Sequence, residues 1–471
     1  MSTLDARPLW LGRSTSPPDA LALELSATLD VDRPLARYDI EASQAHAAEL
    51  QRLGLIDAHG ASRLDTALQE ADASIAAGTF DWRLEHEDVH MNVEAAVRDG
   101  AGPDLAGQLQ AGRSRNEEVV TDERRWLLDA VRSLDELLIV LERTLVRRAA
   151  EEIDTVLPAH THTQPAQPVL LAHHLLAYVE MLQRDRSRLA DAATRANRSP
   201  AGSGAAAGSG LPLDRQAVAA RLGFAAPTAN SLDAVSDRDY AVELVAACGI
   251  GLNHISRLAG ELVLWSTPYV GFVRLADGFT SGSSMLPNKR NPDSAELVRA
   301  RAARLAGHVT TLLSLTRGLP LAYHRDFQET RGPMLDAVAS YDLCLRVTDA
   351  MLASLTFNRA AMRAAATRGH SLATALAERL MAAGVPFREA HQRVARLVAT
   401  ADERGCDLAE LSDDELRTAL PELAERDPIL PALDEALAAA DVVGGTAPTR
   451  VRAAVEAAAE RLGVPLAEAP A

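Results

Sequence analysis

The feature that most constrains the fold is a long stretch of helical periodicity over residues 118–149. The apolar positions that recur along it, three or four residues apart, are Val119, Leu127, Leu128, Val131, Leu134, Leu138, Leu141 and Leu145. Such a stripe is typical of a helix with one buried face, and this one far exceeds the usual length of about 11–12 residues. Further long periodic stretches end near Leu264, Leu315 and Met351. The sequence therefore predicts an all-α protein built on a bundle of long helices.

The length of the chain suits more than one domain. A chain of 471 residues exceeds a single simple domain and fits two or three. We expect an N-terminal helical domain over residues 1–112, a central long-helix bundle over 113–363, and a C-terminal helical domain over 364–471. No strand-like alternation of any length and no internal repeat is visible.

Charge and cysteine usage exclude several classes of protein. The net charge of −17 argues against a nucleic-acid-binding protein, which is usually basic or carries a basic stripe. Cys248, Cys344 and Cys406 lie far apart and form no CxxC pair, so we expect reduced thiols and a cytoplasmic location. The first residues lack the pattern of a secretory signal, and no apolar stretch reaches the length of a membrane span.

A stretch near residue 86 matches a zinc motif. His86-Glu87-Asp88-Val89-His90 has the letters of HExxH, which on a helix places both histidines on one face. No third ligand can be identified downstream. We therefore expect no metal here, and assign these histidines a structural or supporting role.

The loop over residues 280–293 concentrates groups suited to an anionic reaction. Its notable residues are Gly282, Ser283, Ser284, Pro287, Lys289, Asn291 and Pro292. The glycine allows unusual backbone angles, while the prolines stop a helix from running through. A hydroxyl followed by a cation and an amide suits a substrate that gains negative charge. The alternative is a solvated surface loop, since these residue types are common in turns.

Three other stretches carry similar groups. Arg113 to Asn116 precede the long helix, where they suit either a helix start or the binding of a carboxylate. His160-Thr161-His162 lies among prolines, so we predict a loop rich in groups that exchange protons near neutral pH. Residues 323–331 combine Tyr, Gln and Arg ahead of another helix. A fourth stretch, residues 200–212, reads as a flexible linker or as small residues packed near a ligand.

In their order along the chain, these motifs resemble the argininosuccinate lyase branch of the fumarase/aspartase superfamily. Gly-Ser-Ser-x-x-Pro-x-Lys-x-Asn at 282–291 matches the superfamily's signature loop. The branch is indicated by Glu-Asp-Val-His-Met-Asn at 87–92, Ser-Arg-Asn at 114–116, Thr-His-x-Gln at 161–164, Gly-Val-Pro-Phe-Arg-Glu-Ala-His at 384–391, and Gly-Gly-Thr-Ala-Pro at 444–448. The resemblance covers essentially the whole chain.

The resemblance implies a cofactor-free β-elimination that releases fumarate and an amine, here arginine from argininosuccinate, in arginine biosynthesis. It implies Ser283 as the general base and His162 as its partner acid, although which group moves which proton stays open. The implied substrate-binding residues are Ser114, Arg115, Asn116, Thr161, Arg238, Lys289 and Asn291 for the succinyl half, and Thr15, Asp19, Tyr323, Gln328 and Arg331 for the amino-acid half. It also implies a homotetramer whose sites are shared among subunits.

Several positions depart from the usual pattern of the branch, and they leave other readings open. The departures are Ser14 for Phe, Glu117-Glu118 for Asp-Gln, His160 for Tyr, Leu286 for Met, Asn288 for Gln and Arg331 for Lys. Glu118 would oppose a dianion if it lined the pocket, or act as a first-turn acid if it faced solvent. One alternative is therefore a paralogous lyase that cleaves another N-substituted succinate. Another is a non-catalytic structural homologue, which the presence of both Ser283 and His162 disfavours.

Overall fold

The computed structural model describes residues 19–466, and these are mainly helical. The α-helices of this range are α1 (Ala20–Ser26), α2 (Leu29–Asp32), α3 (Ala36–Arg52), α4 (Ala58–Ala76), α5 (Val89–Ala101), α6 (Pro103–Leu109), α7 (Arg115–Glu151), α8 (Leu171–Ala196), α9 (Arg215–Arg221), α10 (Ser231–Ser236), α11 (Asp239–Trp265), α12 (Asp293–Thr316), α13 (Arg331–Ser354), α14 (Arg359–Ala365), α15 (Ala373–Ala382), α16 (Phe387–Arg404), α17 (Asp413–Ala419), α18 (Leu433–Ala439) and α19 (Pro448–Leu462). Short 3₁₀ helices lie at Arg33–Leu35, Leu84–His86, Asp277–Phe279, Arg325–Thr330, Leu408–Glu410 and Pro421–Leu423. The all-α prediction is confirmed.

The strands are few and short, and each pairs with one other. They are β1 (Val156–Thr161), β2 (Gln164–Leu170), β3 (Arg198–Ser199), β4 (Ala226–Pro227), β5 (Val273–Arg274) and β6 (Thr356–Phe357). The pairs β1–β2 and β5–β6 are antiparallel, and β3–β4 is parallel. Within residues 19–466, no helix is both long and apolar enough to cross a membrane.

The apolar stripe that predicted the longest helix is buried throughout. α7 begins at Arg115 and ends at Glu151, close to the predicted bounds, and every apolar position of the stripe is buried. The helix predicted to run toward Leu264 is instead two helices. The carboxylate of Asp237 accepts the N–H of Asp239 at 2.7 Å and so starts α11 afresh after α10.

The chain forms two compact units, each of which gathers three separate segments of the sequence. The first contains residues 19–132, Leu189–Ala246 and Gly307–Val338; the second contains Ser133–Arg188, Ala247–Ala306 and residues 339–466. The three-domain division of the sequence stays a prediction.

A cluster of helices α3 to α6 forms one core of the first unit. Leu50, Leu64, Leu68 and Val97 are fully buried there. Asp57 starts α4 by accepting the N–H of Gly60 at 2.7 Å, which satisfies a donor that the first turn leaves free.

Helices α15 to α17 surround a core of the second unit. Leu376, Leu380 and Leu416 are buried in it. Ser412 and Glu415 form a reciprocal capping box at the start of α17, so this short helix has a defined first turn.

The proline-rich stretch predicted as a loop is a two-stranded hairpin, β1–β2. Pro158 lies opposite Pro168, and the register shifts between Ala159 and His160. Proline cannot donate to a strand ladder, but a two-stranded ribbon has outer edges where no donor is needed. The prolines therefore end the helical pattern without preventing strand pairing.

We expect Gly251→Ala to lower the Tm, because a Cβ at this position of α11 would overlap the hydroxyl of Tyr341, which is fully buried in the same unit. Overpacking of this kind costs about 1–3 kcal/mol. The matched control is Gly260→Ala on the same helix, where the nearest neighbour of a new Cβ is Arg299 Cδ at 3.8 Å. That variant should match or exceed the wild-type Tm, since alanine favours helix. Thermal unfolding followed by circular dichroism checks both, and equal Tm values would contradict the packing argument.

Candidate functional site

A cavity in the first unit brings together six of the residues predicted for substrate binding. Its volume is about 670 Å³. The predicted residues that line it are Ser114, Arg115, Asn116, Tyr323, Gln328 and Arg331. They come from the start of α7 and from the 3₁₀ segment before α13, which are distant in sequence.

The start of α7 is held by the glycine-rich segment 200–212. Asn116 Nδ2 donates to the carbonyl of Ala205 at 3.2 Å, and the N–H of Gly204 donates to Glu117 Oε2 at 2.5 Å. A Cβ on Gly204 would overlap the carbonyl of Gly208, and its φ is +60°. Segment 200–212 is therefore packed against the start of α7 and supports the cavity wall. The structure does not have the flexible linker that was one of the two alternatives for this segment.

Arg115 is paired with the residue that starts a neighbouring helix. Its Nη1 lies 3.2 Å from Asp88 Oδ2, and the other oxygen of Asp88 accepts the N–H of Met91 at 2.9 Å at the start of α5. One carboxylate thus fixes both the first turn of α5 and a cation of the cavity.

The HExxH letters do not lie on one helix. His86 ends a 3₁₀ helix and lines the cavity, whereas His90 lies in α5. His90 Nδ1 is 2.7 Å from Asp39 and 3.8 Å from Asp122, and these three residues form a possible metal-ligand group. Burial disfavours the charged imidazole, but the two carboxylates and Asp88 raise the pKa of His90 to about 10. A protonated imidazole cannot ligate a metal, so the group is better described as a buried ion pair.

Glu118 occupies an arrangement that neither sequence alternative described. It is buried and lines the cavity, yet its Oε1 lies 2.9 Å from Nε of Arg113, which is also buried. The guanidinium of Arg113 therefore offsets part of the negative charge of Glu118, although Asp39, Glu117 and Asp122 also lie near this guanidinium. Burial raises the pKa of the adjacent Glu117 to about 7.

Arg331 forms ion pairs with two buried carboxylates. It forms an ion pair with Asp32, and its Nε lies 3.1 Å from Glu123 Oε1. Although burial opposes its charge, Asp32 and Glu123 raise the pKa of the guanidinium. Gln328 is fixed by a 3.1 Å bond from its Nε2 to the carbonyl of Ser26.

Arg238 is fully buried and is not among the residues that line this cavity. Its guanidinium carbon lies 4.4 Å from the ring centroid of Phe327, and its Nη1 donates to the carbonyl of Asp237 at 2.7 Å. Its Nε lies 3.9 Å from Glu123. Its printed contacts are therefore with other buried groups of the first unit and not with the residues that line the cavity.

The predicted residues near the N-terminus divide into two cases. Thr15, like the departing Ser14, lies outside the described residues. Asp19 starts α1, where its Oδ1 accepts the N–H of Leu21 at 2.8 Å, and it is exposed and does not line the cavity.

Among the cavity residues that the sequence reasoning missed are Thr28, Glu87 and Arg325. Thr28 lines the wall and accepts a long bond from Arg331 Nη1 at 3.4 Å. Glu87 and Arg325 form an ion pair there. Glu87 belongs to the motif at residues 87–92, and Arg325 belongs to the stretch 323–331. The motifs therefore included both residues but did not predict that they form an ion pair. No motif covered Thr28.

The second unit holds the remaining predicted residues, among them the turn of the β1–β2 hairpin. Thr161 and His162 are exposed there. His162 has φ +53° and Thr163 has φ +62°. Left-handed backbone is uncommon outside glycine and is an outlier for a β-branched residue, so the turn is strained. These are the two central residues of the turn between β1 and β2, and a two-residue hairpin turn favours positive φ at both.

The signature loop presents its groups to solvent. Ser281 and Asn291 form a bridge that closes its base, with backbone bonds of 3.1 and 2.8 Å. Ser283 Oγ accepts the N–H groups of Met285 at 3.2 Å and Leu286 at 3.0 Å. Lys289 is exposed. Among the described residues no hydrogen bond joins Ser283 to His162.

Comparisons with known proteins identify the family of this chain. A model described as "Lyase" matches residues 12–307, and one described as "Argininosuccinate lyase C-terminal" matches residues 370–440. An argininosuccinate lyase from Thermus thermophilus is 47% identical over 97% of this chain and 99% of its own length. The chain belongs to the argininosuccinate lyase family. Family members are carbon–nitrogen lyases, so the enzyme class is established.

Other relatives and solved structures extend the likeness. An argininosuccinate lyase from Hyphomonas neptunium is 44% identical over 97% of this chain and 98% of its own length. A variant of EDDS lyase with bound fumarate matches with a TM-score of 0.81 at 26% identity, covering 95% of this chain and 91% of its own. A class II fumarase from Schistosoma mansoni, at 18% identity and a TM-score of 0.72, covers 86% of this chain and 91% of its own and shares the fold. The branch resemblance seen in the motifs is confirmed.

We expect Glu117→Gln to gain stability relative to the wild type as the pH rises from 5 to 8. Because burial raises the pKa of this carboxyl from 4.5 to about 7, its contribution to folding is fully present below pH 4.5 and is lost as the pH rises through 7. The full effect is up to about 3 kcal/mol. The glutamine does not titrate and keeps an acceptor for Gly204.

Tm measured across that pH range checks this expectation, with Glu118→Gln as the contrast. That variant removes the carboxylate that lies 2.9 Å from the buried guanidinium of Arg113 and leaves the more distant Asp39, Glu117 and Asp122. It should lose stability at both ends of the range. A Tm difference between Glu117→Gln and the wild type that does not change with pH would contradict the assignment.

Proposed function

We propose that this chain cleaves argininosuccinate to fumarate and arginine by a cofactor-free β-elimination, in arginine biosynthesis. The observation that carries the proposal is the 47% identity to a curated argininosuccinate lyase over 97% of the chain. The reaction removes a proton from the carbon next to a carboxylate, breaks the bond from the neighbouring carbon to nitrogen, and returns a proton to the departing guanidine.

The difficult species is the dianionic carboxylate formed when that proton leaves. Preorganised donors and cations stabilise such a species more than they stabilise the substrate. Arg115 and Asn116 line the cavity of the first unit, while Thr161, Lys289 and Asn291 belong to the second. We assign these residues to the succinyl carboxylates, with Ser114 beside them, and Arg238, which is buried outside the cavity, does not contact the substrate from this unit.

Ser283 is our choice of general base. A serine hydroxyl is a poor base unless its alkoxide is stabilised, and the N–H groups of Met285 and Leu286 point at its oxygen. Two such donors favour the negatively charged form. We assign His162 as the partner acid, and its place at the exposed turn of the β1–β2 hairpin supports this role because a side chain there is open to a substrate.

His162 is exposed and Ser283 is partly exposed. This exposure supports completion of the site by other copies of the chain. A base and an acid act best where water is excluded. The second unit also exposes large apolar residues on long helices, including Ile250 and Leu264 on α11 and Leu297 on α12. Exposed apolar side chains on such helices are typical of an interface. We propose a homotetramer with shared sites and, from the three unpaired thiols, a cytoplasmic location.

The lyase proposal predicts fumarate release from argininosuccinate, followed by absorbance in the fumarate band, with arginine as the co-product. Ser283→Ala and His162→Gln should each lower kcat by about a hundredfold or more, because each removes a proton-transfer group. Ser284→Ala, the neighbouring hydroxyl in the same loop, should stay within about tenfold of wild type and serves as the matched control. Release at similar rates by all four proteins would contradict the roles of Ser283 and His162. No release by the folded wild type would move the substrate to another N-substituted succinate.

The assembly proposal predicts a tetramer by light scattering coupled to size exclusion. Leu297→Asp should lower the mass and the activity together, since a charge at an apolar interface is strongly unfavourable. Val443→Asp is the control, because Val443 is 94% exposed and lies outside the long helices. A Leu297→Asp protein that stays tetrameric and active would contradict this choice of interface.

A further inference from the structure

The tip of the β1–β2 hairpin carries His162, the partner acid of the proposed function, on which this inference rests. Leu157 and Leu170 at the root of the hairpin are buried, whereas residues 160–165 at its tip are exposed. A shift of register divides the ladder between root and tip. A two-stranded ribbon is only marginally stable by itself, so the direction of His162 depends on what packs against the hairpin.

The root of the hairpin is supported by later parts of the same unit. α14 packs against β1, and α18 packs against β2. The N–H of Leu170 donates to the hydroxyl of Thr446 at 2.9 Å. Leu170 is the last residue of β2 and lies far from the turn, so this bond fixes the root of the hairpin rather than its tip.

Gly369, in the bend between α14 and α15, packs against the tip. A Cβ added to this residue would lie 2.8 Å from Cγ and 3.1 Å from Cβ of Pro165, whose ring is rigid. Pro165 lies opposite His160 in the ladder and three residues after His162. The φ of Gly369 is +64°, in the left-handed region that glycine favours. The bend therefore approaches the tip at a distance that only glycine allows.

The bend is anchored on the side away from the hairpin by the next residue, His370. Its Nδ1 accepts the N–H of Leu408 at 3.0 Å, so its Nε2 carries the hydrogen and donates to Asp402 Oδ1 at 3.0 Å. The backbone N–H of His370 donates to Asp407 Oδ1 at 3.1 Å. These bonds tie the bend to α16 and to the 3₁₀ helix that follows it, and they hold Gly369 against the hairpin.

We propose that Gly369 is a positioning residue for His162. Because Gly369 has no side chain, the anchored bend packs directly against the ring of Pro165 and sets the position of the hairpin tip. Gly369 does not touch the substrate, and it acts only through the turn that carries His162. A displacement of about 1 Å in a reacting group can cost about a hundredfold in rate, so a small shift of the tip is sufficient.

A double-mutant cycle between Gly369→Ala and His162→Gln tests this role. In the wild-type background Gly369→Ala should lower kcat for argininosuccinate about ten- to a hundredfold, with KM changed by less than about threefold. In the His162→Gln background the same substitution should lower kcat by less than about threefold, because the group that it displaces is already missing. A residue with a purely structural role would lower kcat equally in both backgrounds.

Gly463→Ala is the matched control for backbone strain. Gly463 lies in the same unit and also has φ +64°, but the nearest neighbour of a new Cβ there is Arg143 Nη2 at 4.0 Å. This variant should keep the wild-type kcat, although the positive φ lowers its stability.

Pro165→Ala removes the other side of the contact without overpacking. It should lower kcat about three- to tenfold in the wild-type background and leave kcat unchanged in the His162→Gln background. If Gly369→Ala does not fold, as judged by circular dichroism, Pro165→Ala carries the same cycle. Amide hydrogen exchange at residues 160–167 should be faster in Gly369→Ala and in Pro165→Ala than in the wild type or in Gly463→Ala.

Equal losses of kcat in the two backgrounds would overturn the inference, and so would unchanged hydrogen exchange at the hairpin tip. A loss of kcat in Gly463→Ala as large as that in Gly369→Ala would overturn it as well, since backbone strain alone would then explain the effect. Failure of the wild type to release fumarate from argininosuccinate would instead overturn the proposed function, and the role of Gly369 in the reaction with it.

Discussion

The pairing of arginines with carboxylates is the interaction on which the cavity of the first unit depends. The pairs along its wall are Arg98–Glu94, Arg113–Glu118, Arg115–Asp88, Arg325–Glu87 and Arg331–Asp32. Burial of an unpaired charge is costly, and loss of one partner from a buried pair costs about 3–5 kcal/mol. A protein of net charge −17 can present cations to an anionic substrate only if each is fixed locally. The carboxylates do this and also start helices, as Asp88 does for α5.

The two predicted proton-transfer residues are supported differently from the cavity. Their segments are a strained turn and an exposed loop, both in the second unit. Neither derives its geometry from a buried ion pair. The backbone supplies it instead, through positive φ angles at His162 and through two N–H groups aimed at Ser283. The binding groups of the cavity are held by ion pairs, whereas the predicted reacting groups are held by the backbone. These are two different ways to preorganise a site.

The sequence predicted the helices well because their signal is local. Periodicity placed the ends of α7 within a few residues, and motif order identified the family. The sequence predicted the β1–β2 hairpin poorly, because the prolines of this stretch are typical of positions that end a helix. The pairing of β1 with β2 depends on register rather than on composition. The pairing of Glu118 with Arg113 was also out of reach. A carboxylate five residues from an arginine either faces it or faces solvent, and only the packed structure decides which.

The same limit applies to the amino-acid half of the substrate. Matching motif positions assigns a role by residue type, so Asp19 and Arg331 were reasonable partners for a zwitterion. The structure adds which charges already have partners: the guanidinium of Arg331 pairs with Asp32 and Glu123, and both carboxylates are buried. Asp19 instead caps the first turn of α1 and is exposed. The partners of a charged side chain therefore decide its role as much as its residue type does, and the sequence does not give those partners.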